Sequence, residues 1–171
     1  MYSDSRFIII AGTARNVGKT TLACELIRKI SVSQDVIGVK FISLKKDGYK
    51  HGHHTNINTY EIFEETSVLK GKDTSKMINA GAIRSFFIVS QENYLEEAIN
   101  EFSKNIKKRD IVIAESASLR NIIKPKYFII VDKERAVNKK TYINALIPLS
   151  DYYLDSDKDY KFKNFIDDFS L

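Results

Sequence analysis

The chain has 171 residues, enough for one domain with a substantial core and short for two. Its 43% hydrophobic and 29% charged residues, with two prolines, exclude fibrous and low-complexity classes. The net charge of +5 is uneven, because residues 151–171 hold six Asp and three Lys while the first 150 carry 24 basic and 16 acidic side chains. Such a basic body attracts anions, but its Lys and Arg are scattered, and no basic stripe with interleaved aromatics argues for nucleic acid.

In chain order, the opening MYSDSRFIII has an apolar run too brief for a signal peptide. Phe7–Ala11 (FIIIA) is a continuous apolar run ending at Gly12, the pattern of a fully buried parallel strand. From Thr20 to Ile30, Leu22, Ala23, Leu26, Ile27 and Ile30 recur at helical spacing. Cys24 falls inside this helix as a small buried residue, and a single cysteine excludes an internal disulfide or a multi-cysteine zinc site. Val36–Ile42 reads as a second strand. A long polar stretch follows, from Ser43 to about Asn79, with a short helix expected around Tyr60–Leu69. Connections of this length are usually functional, and this one is expected to be ordered by ligand rather than by its own packing.

Ser85–Ser90 is a third strand, and Ser90 is expected to cap a helix with Leu95, Ala98, Ile99, Phe102 and Ile106 inside. The Lys107-Lys108-Arg109 cluster then complements that helix's C-terminal dipole. Asp110–Ala114 and Tyr127–Val131 are the fourth and fifth strands. Tyr152–Leu154 forms a short sixth, before an amphipathic helix holding Phe162, Phe165, Ile166 and Phe169. Strands alternating with helices imply an α/β fold: a mostly parallel sheet with helices on both faces, a three-layer sandwich in one domain over residues 1–171. No stretch approaches the roughly 20 apolar residues that span a membrane, so the expected location is the cytoplasm.

Residues Gly12-Thr13-Ala14-Arg15-Asn16-Val17-Gly18-Lys19-Thr20 satisfy the pattern G-x-x-x-x-G-K-[ST], between a buried strand and an amphipathic helix. In that context the string is a phosphate loop. Glycines let successive backbone N–H groups point inward around a phosphate, and the helix N-terminus adds its positive end. Lys19 would bridge the terminal phosphates and Thr20 would offer its hydroxyl to Mg²⁺, with Thr21 completing the nucleotide contacts. Asp110–Glu115 (DIVIAE) is an apolar strand ending in a carboxylate, the form of a Walker B element. Glu115 is therefore the expected acid beside Mg²⁺ or its water, and with Lys19 the expected catalytic pair.

These residues carry a resemblance. G-T-x-x-x-V-G-K-T with a Glu-ended strand is similar to the P-loop branch that contains dethiobiotin synthetase and the molybdopterin-guanine dinucleotide biosynthesis protein B (MobB) family. Gly71-Lys72-Asp73-Thr74 followed by Ala80-Gly81-Ala82 resembles the MobB G-K-D-S…A-G-A segment, and Lys50-His51-Gly52-His53-His54 resembles its K-H-T-H-H string. The resemblance implies a P-loop NTPase fold and a MobB-like GTP-binding protein, a slow GTPase acting with a partner enzyme of molybdenum cofactor assembly. It places Asp73 near Mg²⁺ or the phosphates, whereas its local alternative is to cap a helix running toward Asn79. There are departures: Ser116 stands where the family has glycine, and no N-K-x-D guanine signature appears. GTP and ATP therefore both stay open as cofactor. The competing readings are an ATP-dependent ligase of the dethiobiotin synthetase kind and a regulatory module that reports nucleotide state. His51, His53 and His54 read as a solvated loop or a substrate contact ahead of a zinc site. The oligomeric state is left open, a homodimer included.

Overall fold

The structure is a computed structural model that describes residues 1–44, 57–66, 68 and 71–171. Its strands are β1 (Tyr2–Gly12), β2 (Val36–Leu44), β3 (Tyr60–Glu64), β4 (Arg84–Gln91), β5 (Ile111–Glu115), β6 (Ile123–Asp132) and β7 (Tyr152–Asp155). They form a 7-stranded sheet in the order β3-β4-β2-β5-β1-β6-β7. Every neighbouring pair is parallel except β3 with β4. The α-helices are α1 (Lys19–Ile30), α2 (Asp73–Asn79), α3 (Leu95–Ser103) and α4 (Lys163–Asp168).

The central strands are unbroken apolar runs because both of their faces are buried. Alternate residues of β1 go to opposite sides. Phe7, Ile9 and Ala11 join one core with Leu95, Ala98, Ile99 and Phe102 of α3. Ile8 and Ile10 join a second core with Leu22, Leu26 and Ile27 of α1, Met77 of α2, and Phe162 and Phe169 at the C-terminal end. The molecule is thus α/β, with helices on both faces of a mostly parallel sheet. Cys24 is buried and unpaired, as expected. Among the described residues no helix is long and apolar enough to cross a membrane.

Several local expectations are corrected. Residues 60–64 form strand β3, not a helix, because β4 offers them an antiparallel partner from Tyr60↔Ser90 to Glu64↔Phe86. Arg84 fixes the end of that pairing, with both Glu64 carboxylate oxygens accepting at 2.7 Å. Ser90 lies within β4, where its hydroxyl donates to the Gln91 carbonyl at 2.9 Å and caps no helix. α3 ends at Ser103, so residues 107–109 stand beyond it in the turn before β5, too far on to complement its dipole. Asp73 is the first residue of α2 and not its cap, since the capping position is Lys72 and no side chain there caps the helix's first N–H groups. Residues 45–56, with the whole Lys50–His54 string, lie outside the described residues, as do 67, 69 and 70.

Candidate functional site

β1 ends at Gly12 and α1 begins at Lys19, so residues 13–18 form the turn between them. Two of its residues adopt the left-handed conformation, Asn16 at φ 56 and Gly18 at φ 99. Asn and Gly are the residues that enter this region most readily. Gly18 stands at the N-cap of α1 with no side-chain cap on the helix's first N–H groups, which leaves those donors pointing outward. The Lys19 side chain folds back over the loop. Its Nζ donates to the Ala14 carbonyl at 3.0 Å, and a Cβ on Gly12 would stand 2.7 Å from Lys19 Cδ. Burial pushes the Lys19 ammonium below the ordinary lysine range, while Glu115 pulls the other way.

The sheet register explains what lies beside the loop. Lys40 of β2 and Glu115 of β5 are Cα partners, and Glu115 in turn is the partner of Ile10 in β1. Val39 and Phe41 face the α3 side, so Lys40 between them faces α1 and α2. Glu115 shares that face, because Ala114 before it packs on the α3 side. Thr20 on α1 and Asp73 on α2 meet them there. Thr20 Oγ1 donates to Glu115 Oε2 at 2.7 Å. Lys40 Nζ donates to Glu115 Oε1 and to Asp73 Oδ2, each at 2.8 Å, and Lys76 Nζ donates to Asp73 Oδ1 at 3.1 Å. Glu115 is 4% exposed. Burial works against the Lys40 ammonium, but its two carboxylate partners outweigh it and raise Lys40 above the usual range. Burial likewise opposes the Asp73 carboxylate, and the Lys40 and Lys76 bonds more than reverse that effect.

A second network ties down the other side of the loop. The Thr13 hydroxyl donates to the buried Asp132 carboxylate at the end of β6. Lys139 Nζ and the Tyr153 hydroxyl each donate to Asp132 Oδ2 at 2.8 Å. The Lys140 N–H donates to the Thr13 carbonyl at 2.7 Å. Burial disfavours the Asp132 charge, yet these bonds hold its carboxyl far below the ordinary carboxylate range. Burial and the neighbouring carboxylate push the Tyr153 phenol up to about 12.

Of the residues singled out in the sequence, the structure brings Gly12 to Thr21, Glu115 and Asp73 to one edge of the sheet. Arg15, Asn16 and Thr21 are exposed there, while Thr13, Ala14 and Val17 are buried. Lys40 and Asp132 are the site residues that sequence reasoning missed. Each carried a signal. Lys40 is a lysine inside the apolar run VIGVKFI, and a buried charge needs a partner. Asp132 ends an apolar strand just as Glu115 does.

The hydroxyl of Thr20 and the carboxylates of Glu115 and Asp73 are hard oxygen donors, the set that suits Mg²⁺. Among the described residues no three His, Cys, Asp or Glu side chains converge to hold a metal by themselves. A cavity of about 700 Å³ opens beside Lys40 and Asp73, with Phe63, Glu65, Thr74 and Phe87 also in its wall. No protein-family profile, curated protein or solved structure matches the chain.

Proposed function

We propose that this chain binds a Mg²⁺-nucleoside triphosphate at Gly12–Thr21 and hydrolyses it slowly. The observation that carries this reading is the convergence of four chemically different parts at one sheet edge. They are a left-handed glycine turn opening a helix, a lysine folded over it, a helix-start hydroxyl, and a strand-end carboxylate bonded to that hydroxyl. Phosphate oxygens would replace the Ala14 carbonyl as acceptors of the Lys19 ammonium and receive the free donors of the first turn of α1. Mg²⁺ would be held by Thr20, Glu115 and Asp73, and supplies charge neutralisation during phosphoryl transfer.

The finer reading is a MobB-like GTP-binding protein acting with a partner enzyme of molybdopterin cofactor assembly. It is supported by the G-K-D-T and A-G-A strings, which flank α2 and deliver Asp73 to Lys40. The cavity beside Lys40 offers room for a second substrate next to the phosphate end.

Thermal shift with a panel of ATP, GTP and their diphosphates, each with Mg²⁺, tests the proposal. A ligand that binds only the folded state stabilises by RT ln(1 + [L]/Kd), so the preferred base gives the larger shift. No shift with any nucleotide would sink nucleotide binding, and a preference for ATP would remove the MobB-like reading. Glu115→Gln keeps the shape of the side chain and removes its charge. It is expected to slow hydrolysis more than binding, and wild-type turnover in that variant would leave Glu115 a structural residue.

A further inference from the structure

We propose that Lys40 is a resident counter-cation that occupies the divalent-ion position between Glu115 and Asp73, making metal uptake conditional on nucleotide. This rests on the reading of Thr20, Glu115 and Asp73 as the metal side of the site, and adds how its occupancy is controlled.

The Lys40 ammonium lies 2.8 Å from one oxygen of each carboxylate. Thr20 Oγ1 and Lys76 Nζ bond the other oxygen of each, so a Mg²⁺ ion meets a resident donor at all four carboxylate oxygens and must displace one to bind. Lys40 is also held in place. It stands in the interior of β2 with its Cα paired to that of Glu115, so its ammonium stays tethered within reach of the site. The charges around the position point the same way. Two carboxylates, Glu115 and Asp73, face three ammonium groups, Lys19, Lys40 and Lys76. Without further anions the position has no net negative charge to draw a divalent ion out of water. A triphosphate brings the missing charge. Metal and nucleotide then each raise the affinity of the other, and the reciprocity is thermodynamic. Lys40 is a positioning residue in this scheme. It keeps two carboxylates together, and it keeps a lone metal ion out.

The first arm of the test uses no nucleotide, so it is separate from the test of nucleotide binding itself. The full chain is titrated with Mn²⁺ by calorimetry as wild type, Lys40→Met and Lys40→Arg, with thermal midpoints followed in parallel. Wild type and Lys40→Arg are expected to take up no Mn²⁺ at concentrations where Lys40→Met binds it at least tenfold more tightly. Mn²⁺ should also raise the midpoint of Lys40→Met alone. A folded Lys40→Met no better than wild type overturns the proposal. So does a wild-type protein that binds Mn²⁺ tightly unaided, a result that needs no variant to fold. Adding ATP or GTP to the wild type should then bring Mn²⁺ binding into range. If every nucleotide-free result holds and this last step fails, the nucleotide reading is at fault.

Discussion

Lys19 is held by its stem more than by its charge. The aliphatic part lies against Gly12, and among the described residues the ammonium's acceptor is a loop carbonyl. Removing it should therefore cost the fold little and phosphate binding a great deal. Lys19→Ala is expected to abolish nucleotide affinity in calorimetry while the thermal midpoint of the free protein stays within a few degrees. Unchanged affinity would dismiss the phosphate-loop assignment. Asp132 is the opposite case, a buried carboxylate whose partners are all protein. Truncating a buried charged hydrogen-bonding group costs roughly 1–3 kcal/mol, and Asp132→Asn should lose about that much at neutral pH. The sign of its pH dependence follows from the depressed pKa. Stability from Asp132 is present above the ordinary carboxylate value of about 3.9 and is lost as pH falls below it toward the folded-state value. The gap in thermal midpoint between wild type and Asp132→Asn should accordingly narrow as pH drops below about 4. A gap independent of pH would mean that the carboxylate's charge is not what the network uses.

At the scale of elements, strands buried on both faces were legible because they have no polar side to confuse the pattern. β1, β2, β4 and β5 stand where their apolar runs stand, and α1 follows the turn after β1 as its spacing implied. β3 was misread because YEIFE lies at a sheet edge, with Tyr60 to Ile62 half-buried and Phe63 and Glu64 exposed, and its strand character comes from β4 across the gap. The polar half of β1 was missed for a similar reason. Tyr2 to Asp4 pair with β6 across a register shift that no local sequence pattern reveals. Lys40 and Asp132 were invisible as site residues because their roles depend on which strands become neighbours. Lys40 matters only because β5 is inserted beside β2, a fact of sheet order. Close packing of α2 on that same strand has a checkable consequence. A Cβ on Gly38 would stand 2.8 Å from Met77 Cβ, at the centre of α2, so helix or strand must yield. Overpacking of this kind costs about 1–3 kcal/mol. Gly38→Ala should lower the unfolding free energy by that order, read as a lower thermal midpoint, and weaken the reach of Asp73 to Lys40. Equal stability of the two proteins would show that α2 is loosely seated.

Over the whole molecule, the C-terminal end of the chain returns to the turn between β1 and α1. Phe162 is 1% exposed, and its ring lies 3.0 Å from where a Cβ on Gly18 would stand. To reach that place the chain takes two successive left-handed residues, Lys161 at φ 52 and Phe162 at φ 57. Each costs on the order of 1–2 kcal/mol for an ordinary residue, a strain that persists only where packing over-determines it. The packing is extensive here. Phe169 meets Tyr127 edge-on at 5.3 Å, and Lys29 of α1 donates to the carbonyls of Ile166 and Asp167 at the end of α4. α4 has only six residues, too few to be helical on its own, so its protection from exchange reports docking on α1 and the turn. Anything that orders Gly18 should then order α4, and the converse holds by linkage. Amide exchange across Phe162–Phe169 is therefore expected to slow when Mg²⁺-nucleotide is added, although no residue of α4 is assigned to the ligand. Phe162→Ala should cost about 3 kcal/mol, the low end for deleting a buried phenyl ring, and weaken nucleotide binding through the loosened turn. Phe162→Leu, which keeps most of the apolar contact, should recover much of both. If α4 exchanges at the same rate with and without nucleotide, and Phe162→Ala binds nucleotide as wild type does, the C-terminal end seals the core and has no coupling to the site.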